Sequence, residues 1–273
     1  MLKDITLGQY FPLDSLVHKI DPRFKIIFTL LYIILVFFAD SLLGYALVAL
    51  FCFAIIKLSK VGFIPVFKSI KPLLFIICFT ALVNIFFTGG ENVVFKWKAI
   101  TITSDGIINA VNMALRLIFL VVGSSLLTYT TSPIMLTNGI ERLLSPFSKL
   151  GFASHEIAMM MTIALRFIPT LLEETEKIIV AQKARGADFE SGNLFRRAKA
   201  LVPVLIPLFI SSFRRADELA TAMECRCYRG GDHRTSLTQL HFGRVDWISL
   251  VVMFIFGAAI ITVKIMNLKV LGF

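Results

Sequence analysis

Two stretches of this 273-residue chain end in an arginine flanked by small residues. The first reads Glu176-x4-Ala181-x2-Ala184-Arg185-Gly186, the second Asp217-x4-Ala222-x2-Cys225-Arg226-Cys227. In each, an acid precedes the arginine by nine residues and an alanine precedes it by four; the copies lie 41 residues apart. The pattern predicts two helices whose last residues carry Arg185 and Arg226. Gly186 suits a left-handed cap, and Gly230-Gly231 is expected to stop the second helix slightly later. One cation at a helix C-terminus is explained by the helix dipole. Two matched copies suggest two similar docking ends for two similar partner surfaces. A guanidinium suits that task because its planar fork binds a carboxylate bidentately.

No catalytic constellation accompanies these ends. The sequence has no Ser/His/Asp set and no G-x-x-x-x-G-K-[ST] phosphate loop, so any ATP chemistry must reside on another chain. His18, His155, His233 and His241 are scattered, which argues against a membrane-embedded enzyme. Cys52 and Cys78 lie in apolar runs. Cys225-x-Cys227 is too tight for an easy disulfide, and structural zinc sites favour wider pairs, so no metal site is expected with His233 and His241. No catalytic residue, metal or cofactor is assigned.

The elements that must carry these ends are membranous. Hydrophobic residues make up 57% of the chain, charged residues only 17%, and phenylalanine alone fills 26 positions. Soluble domains run at about 45–50% apolar and about 25% charged. An ordinary soluble globule, a disordered chain and a disulfide scaffold are excluded. The N-terminal residues Lys3, Asp4, Asp14, Lys19, Asp21 and Arg23 precede the first apolar run, and no signal peptide is expected.

A crossing needs about 20 apolar residues. The apolar stretch from Ile26 to Ile56 is too long for one span and predicts a helical hairpin turning at Asp40. Asp21-Pro22 resembles an N-cap with proline at the first helical position. Five spans are predicted, at about 24–39, 42–57, 70–88, 107–131 and within 247–273, the last edged by Trp247. The expected organisation is an N-terminal membrane part, 1–131, a charged helical segment, 132–246, and a last transmembrane helix, 247–273. With the N-terminus inside, the inner segments hold 23 basic residues, and the outer ones hold Lys96, Lys98, Lys264 and Lys269. The N-terminus and 132–246 are therefore predicted to be cytoplasmic. Arg116 falls within a span, with no acidic partner in any other span, and is expected to reach the outer interface along its own stem.

The 132–246 segment contains fifteen basic and twelve acidic residues, a near balance that argues against nucleic-acid binding. Ser132-Pro133 begins one predicted helix, which Pro146 ends. Ser154 begins another, carrying Met159, Met160, Ile163, Phe167, Leu171 and Ile178 at helical spacings. The apolar runs 157–172 and 201–213 are too short to span comfortably. Met159-Met160-Met161 reads equally as core or as an adaptable face for partners.

The chain resembles the transmembrane T component of energy-coupling factor (ECF) transporters. Gly8-Gln9-Tyr10-Phe11-Pro12, Asp14-Ser15, His18 and Asp21-Pro22-Arg23-Phe24-Lys25 are similar to that family's N-terminal signature. The two arginine ends resemble its paired coupling motifs, the second continuing as Tyr228-Arg229-Gly230-Gly231. The family pattern is Ala-Arg-Gly twice, and Cys225-Arg226-Cys227 departs from it, which puts the turn at Cys227 in question. The resemblance implies an all-α polytopic membrane protein that couples ATPase motion to import. Two ABC-type ATPase subunits would bind ATP and magnesium and grip Ala184-Arg185-Gly186 and Cys225-Arg226-Cys227. One or several interchangeable small membrane subunits would bind a vitamin or other micronutrient and slide on Met159, Met160, Ile163 and Phe167, in the cell membrane. A stand-alone secondary transporter is the alternative; five unrelated spans without paired repeats argue against it.

Overall fold

The computed structural model describes residues 9–89, 93–97, 100–150, 153–189, 193–230 and 242–270. The architecture is helical: α1 Pro22–Phe38, α2 Leu42–Ser59, α3 Phe63–Ile70, α4 Leu74–Phe87, α5 Ser104–Thr130, α6 Pro133–Leu144, α7 Ser154–Ala184, α8 Leu194–Cys225 and α9 Arg244–Val270. A short antiparallel pair, β1 Val93–Trp97 and β2 Ile100–Thr103, links α4 to α5, with an irregularity between Val93 and Phe95. The chain divides into two compact units. One holds α1–α5, the start of α6, and α9; the other holds the rest of α6 with α7 and α8.

In the first unit the sequence signals act as expected. Asp21 caps α1 by accepting from the Arg23 amide at 2.9 Å, with Pro22 at the first helical position. The hairpin turns at Asp40, and Ser41 caps α2 through the Gly44 amide at 3.1 Å. The N-terminal signature fastens this unit together. The Phe11 amide donates to the Tyr129 carbonyl at 3.0 Å. Lys25 Nζ donates to the His18 and Thr130 carbonyls at 3.2 and 2.9 Å. Asp246 Oδ1 accepts from the Asp21 amide at 2.8 Å, tying the start of α9 to the start of α1.

The core sits among α1, α2, α5 and α9, where Val36, Val48 and Ile260 are sealed. The Phe51 and Phe256 rings stack 3.9 Å apart. Tyr32 lies flat against α5 because position 123 is glycine: a Cβ there would sit 2.1 Å from its ring. The Tyr32 hydroxyl donates to the Phe119 carbonyl at 2.9 Å. In lipid, apolar faces gain little by leaving their surroundings, so close backbone approach and such hydrogen bonds hold helices together.

Two expected segment starts are corrected, and two other readings gain a structural context. The third membrane segment starts at Phe63 and not at residue 70, because Lys68 and Lys71 interrupt the apolar run but not the helix; α3, a single 3-10 turn at Lys71–Leu73, and α4 form one 25-residue rod. α5 begins three residues before the expected 107, at Ser104, where the Thr103 hydroxyl caps it. The 201–213 run is the middle of the 32-residue α8, which continues through Pro203 and Pro207. Arg116 has an acidic partner: its Nη2 donates to Asp40 Oδ1 at 2.8 Å, and Lys264 Nζ lies 3.1 Å from Asp40 Oδ2. The partner sits in the α1–α2 turn and not in a span, in keeping with the expectation that no other span holds an acidic partner.

Among the described residues, five helical segments are long and apolar enough to cross a bilayer: α2, Phe63–Phe87, α5, α7 and Arg244–Met266. α1, at 17 residues, is about 26 Å long, a little under the hydrocarbon thickness of about 30 Å. The 157–172 run belongs to a 31-residue helix, because Glu173, Glu174, Glu176 and Lys177 end the apolar stretch without ending the helix. Outward-facing side chains such as Phe75, Phe87 and Phe254 are more than three-quarters exposed, as a lipid-facing surface requires.

Candidate functional site

The helix ends that carry the two arginines are built alike. α7 ends at Ala184, and Arg185 is its cap. Gly186 follows with φ +89°, its amide donating to the Lys183 carbonyl at 3.0 Å, and the Ala187 amide returns to the Gln182 carbonyl at 3.0 Å. α8 ends at Cys225, and Arg226 is its cap. Cys227 follows with φ +55°, its amide donating to the Glu224 carbonyl at 2.8 Å, and the Tyr228 amide returns to the Met223 carbonyl at 3.0 Å. Each pair of bonds defines a Schellman turn, which satisfies carbonyls that the helix end would otherwise leave open.

Cys227 therefore adopts the same left-handed turn as Gly186, and the departure from Ala-Arg-Gly does not change the backbone. The expectation that Gly230-Gly231 ends α8 is corrected: the helix stops at Cys225, and Gly230, at φ +89°, shapes the segment beyond. Gly231 lies outside the described residues. Ala184, Arg185 and Gly186 are exposed, as are Cys225, Arg226 and Cys227. Each guanidinium thus stands in solvent beside the negative end of its helix. Among the described residues no three His, Cys, Asp or Glu side chains gather as a metal site; Cys225 and Cys227 are free thiols, and His233 and His241 lie outside the described residues.

The helices behind these ends pack on each other in antiparallel register. On α8 the face formed by Val204, Leu208, Ser211, Ser212, Arg215 and Leu219 is buried or half-buried, while Leu205, Ile206, Phe209, Phe213 and Arg214 are exposed. Glu174 on α7 accepts from the Ser211 hydroxyl, and Arg215 Nη2 donates to its other oxygen at 2.8 Å. Eight residues along α7, Gln182 Nε2 donates to the Pro203 carbonyl at 3.4 Å, eight residues back along α8. That carbonyl is available because Pro207, four residues on, has no amide proton to donate to it. The prolines thus supply a cross-helix acceptor that sequence reading does not anticipate.

The proposed sliding surface is partly open. Met160 is 62% exposed; Met159, Ile163 and Phe167 are half-buried. A larger apolar face, unassigned by sequence, lies on α8: Val202, Ile206, Phe209 and Phe213 are exposed at helical spacing. It falls in the 201–213 run, which the sequence marks as apolar but too short to span. Elsewhere, the His18 ring is held by the Ser15 hydroxyl at 2.6 Å and by the Phe11 carbonyl at 3.0 Å. A carbonyl partner fixes the proton on Nε2 and makes Nδ1 the acceptor. Burial lowers the His18 pKa below its ordinary 6.5, helped by the nearby Lys25 charge and only partly opposed by the backbone hydrogen bonds.

Five long apolar helical segments define a multi-pass membrane protein, and two helices end in solvent-exposed arginines. Residues 14–237 match the family described as cobalt transport protein (CbiQ). The energy-coupling factor transporter transmembrane protein EcfT of Clostridium kluyveri is 58% identical over 250 residues, covering 91% of this chain and 93% of its own length. The EcfT proteins of Acidaminococcus fermentans and Bacillus subtilis are 54% and 43% identical, covering 93% and 94% of this chain and 94% and 97% of their own lengths. The chain belongs to the EcfT family, the transmembrane component of ECF transporters.

Proposed function

We propose that this protein is the coupling subunit of an ATP-driven importer. Residues 1–131 and 247–273 form the membrane part, with α1, α2, the α3–α4 rod, α5 and α9 as crossings. The N-terminus and 132–246 face the cytoplasm, and the complex resides in the cell membrane. The observation that carries this reading is the pair of Schellman-turned, exposed arginines, Arg185 and Arg226, on two antiparallel helices. Each docks into one of two ABC-type ATPase subunits, which bind ATP and magnesium. ATPase closure and opening moves α7 and α8. That motion reaches a separate small membrane subunit carrying a vitamin or other micronutrient, which rides on Met159, Met160, Ile163, Phe167 and the exposed α8 face.

The test is charge reversal in the co-expressed complex, Arg185→Glu with Arg226→Glu. Truncating one side of a buried charge pair costs about 2–5 kcal/mol. Losing 2 kcal/mol weakens binding about 30-fold. The double variant should lose its ATPases on affinity purification and lose uptake; intact assembly with intact uptake would refute the reading.

A further inference from the structure

We propose that Glu174, with Ser211 and Arg215, is the fulcrum that makes the two arginine ends move as one body. The inference rests on the docking role of those ends and adds how their motions are linked. Glu174 lies eleven residues before Arg185, and Arg215 lies eleven residues before Arg226. Eleven residues are about three helical turns, or about 16 Å. The carboxylate bridge therefore stands midway, joining two arms of equal length.

The arms point in opposite directions. Glu174 meets Ser211, and Gln182, eight residues further along α7, meets Pro203, eight residues earlier on α8. Contacts that advance on one helix and retreat on the other define antiparallel packing. For straight arms the two arginine caps would stand about 33 Å apart. A push on one end reaches the other only through the helix pair. Two features resist scissoring at the crossing. Glu174 uses both oxygens, one for the Ser211 hydroxyl and one for the Arg215 guanidinium, so its orientation is fixed by two partners on α8. The Gln182–Pro203 bond adds a second anchor about 12 Å along the pair. A single apolar contact would let the helices swivel; two polar anchors set their angle.

These are positioning residues, and the readout is the coupling ratio. The complete complex is reconstituted in proteoliposomes, and substrate uptake per ATP hydrolysed is measured together with ATPase retention. Glu174→Leu should keep its ATPases and keep hydrolysis within about 2-fold, while uptake per ATP falls at least 10-fold. Glu174→Arg combined with Arg215→Glu, which restores the opposite charges, should recover at least half of the lost ratio. Should Glu174→Leu fail to assemble, Ser211→Ala is read for the same ratio and should lower it about 3-fold. An unchanged ratio in the variant that assembles, or no recovery in the charge swap, overturns the proposal. Such a failure leaves the docking reading untouched, since that depends on assembly lost through Arg185 and Arg226.

Discussion

Cys227 occupies the left-handed region at φ +55°, where its counterpart Gly186 sits at +89°. An L side chain in that region costs roughly 1–2 kcal/mol. Glycine removes this cost but brings back roughly 0.5–1 kcal/mol of extra chain entropy. Cys227→Gly should therefore stabilise the turn by about 0.5–1 kcal/mol, a factor of about 2–5 in the open population. Hydrogen exchange at the Tyr228 amide, which donates to the Met223 carbonyl at 3.0 Å, reads that population directly. Exchange should slow 2- to 5-fold in Cys227→Gly, by the local-opening relation. The reverse change, Gly186→Cys, should speed exchange at Ala187, whose amide closes the matching bond on α7. Cys227→Ala should leave the rate where it is, because any Cβ meets the same backbone strain. Unchanged or faster exchange in Cys227→Gly would refute the reasoning, since the turn would then carry no side-chain cost to relieve.

Three further outcomes are expected. Gly123→Ala forces a methyl within 2.1 Å of the Tyr32 ring; it should cost about 2–4 kcal/mol through overpacking and the lost Phe119 bond, measured as thermal stability, and Tyr32→Ala should make the alanine at 123 nearly neutral. Because burial holds the His18 pKa below 6.5, the unfolded chain binds protons first. Stability from this ring is thus full above that pH and is lost as pH falls through the lowered folded pKa; a melting-temperature profile from pH 7.5 to 5 should be flatter in His18→Gln. A membrane-impermeant maleimide should label the exposed Cys225 and Cys227 from the cytoplasmic face only, spare the buried Cys52, and be blocked by bound ATPases; labelling from outside would reverse the proposed orientation.

Much of this was legible in the residues. Asp21-Pro22, Asp40 and Ser132-Pro133 mark boundaries that local backbone chemistry enforces, so they fall where expected. The arginine ends were legible because helix termination is also local. What escaped depends on partners distant in sequence or on helices tolerating interruptions. Lys68, Lys71 and the prolines of α8 break an apolar pattern without breaking hydrogen-bonded continuity. Asp40 was read only as a turn residue, yet it gathers Arg116 from α5 and Lys264 from α9. The tolerance of Cys227 for a glycine conformation follows from two hydrogen bonds across the turn, which composition does not reveal.

The antiparallel arms give one polypeptide an approximate dyad, running between α7 and α8 near Glu174. A lone chain of this kind can sit astride the axis of a two-fold partner pair without being duplicated itself. The dyad is approximate: the Gln182–Pro203 anchor lies on one side of it, and Ala and Gly flank one arginine where two thiols flank the other. If the two proposed ATPases are identical, that difference is silent. If they differ, it gives the assembly a polarity, because each ATPase can tell which arm it has met.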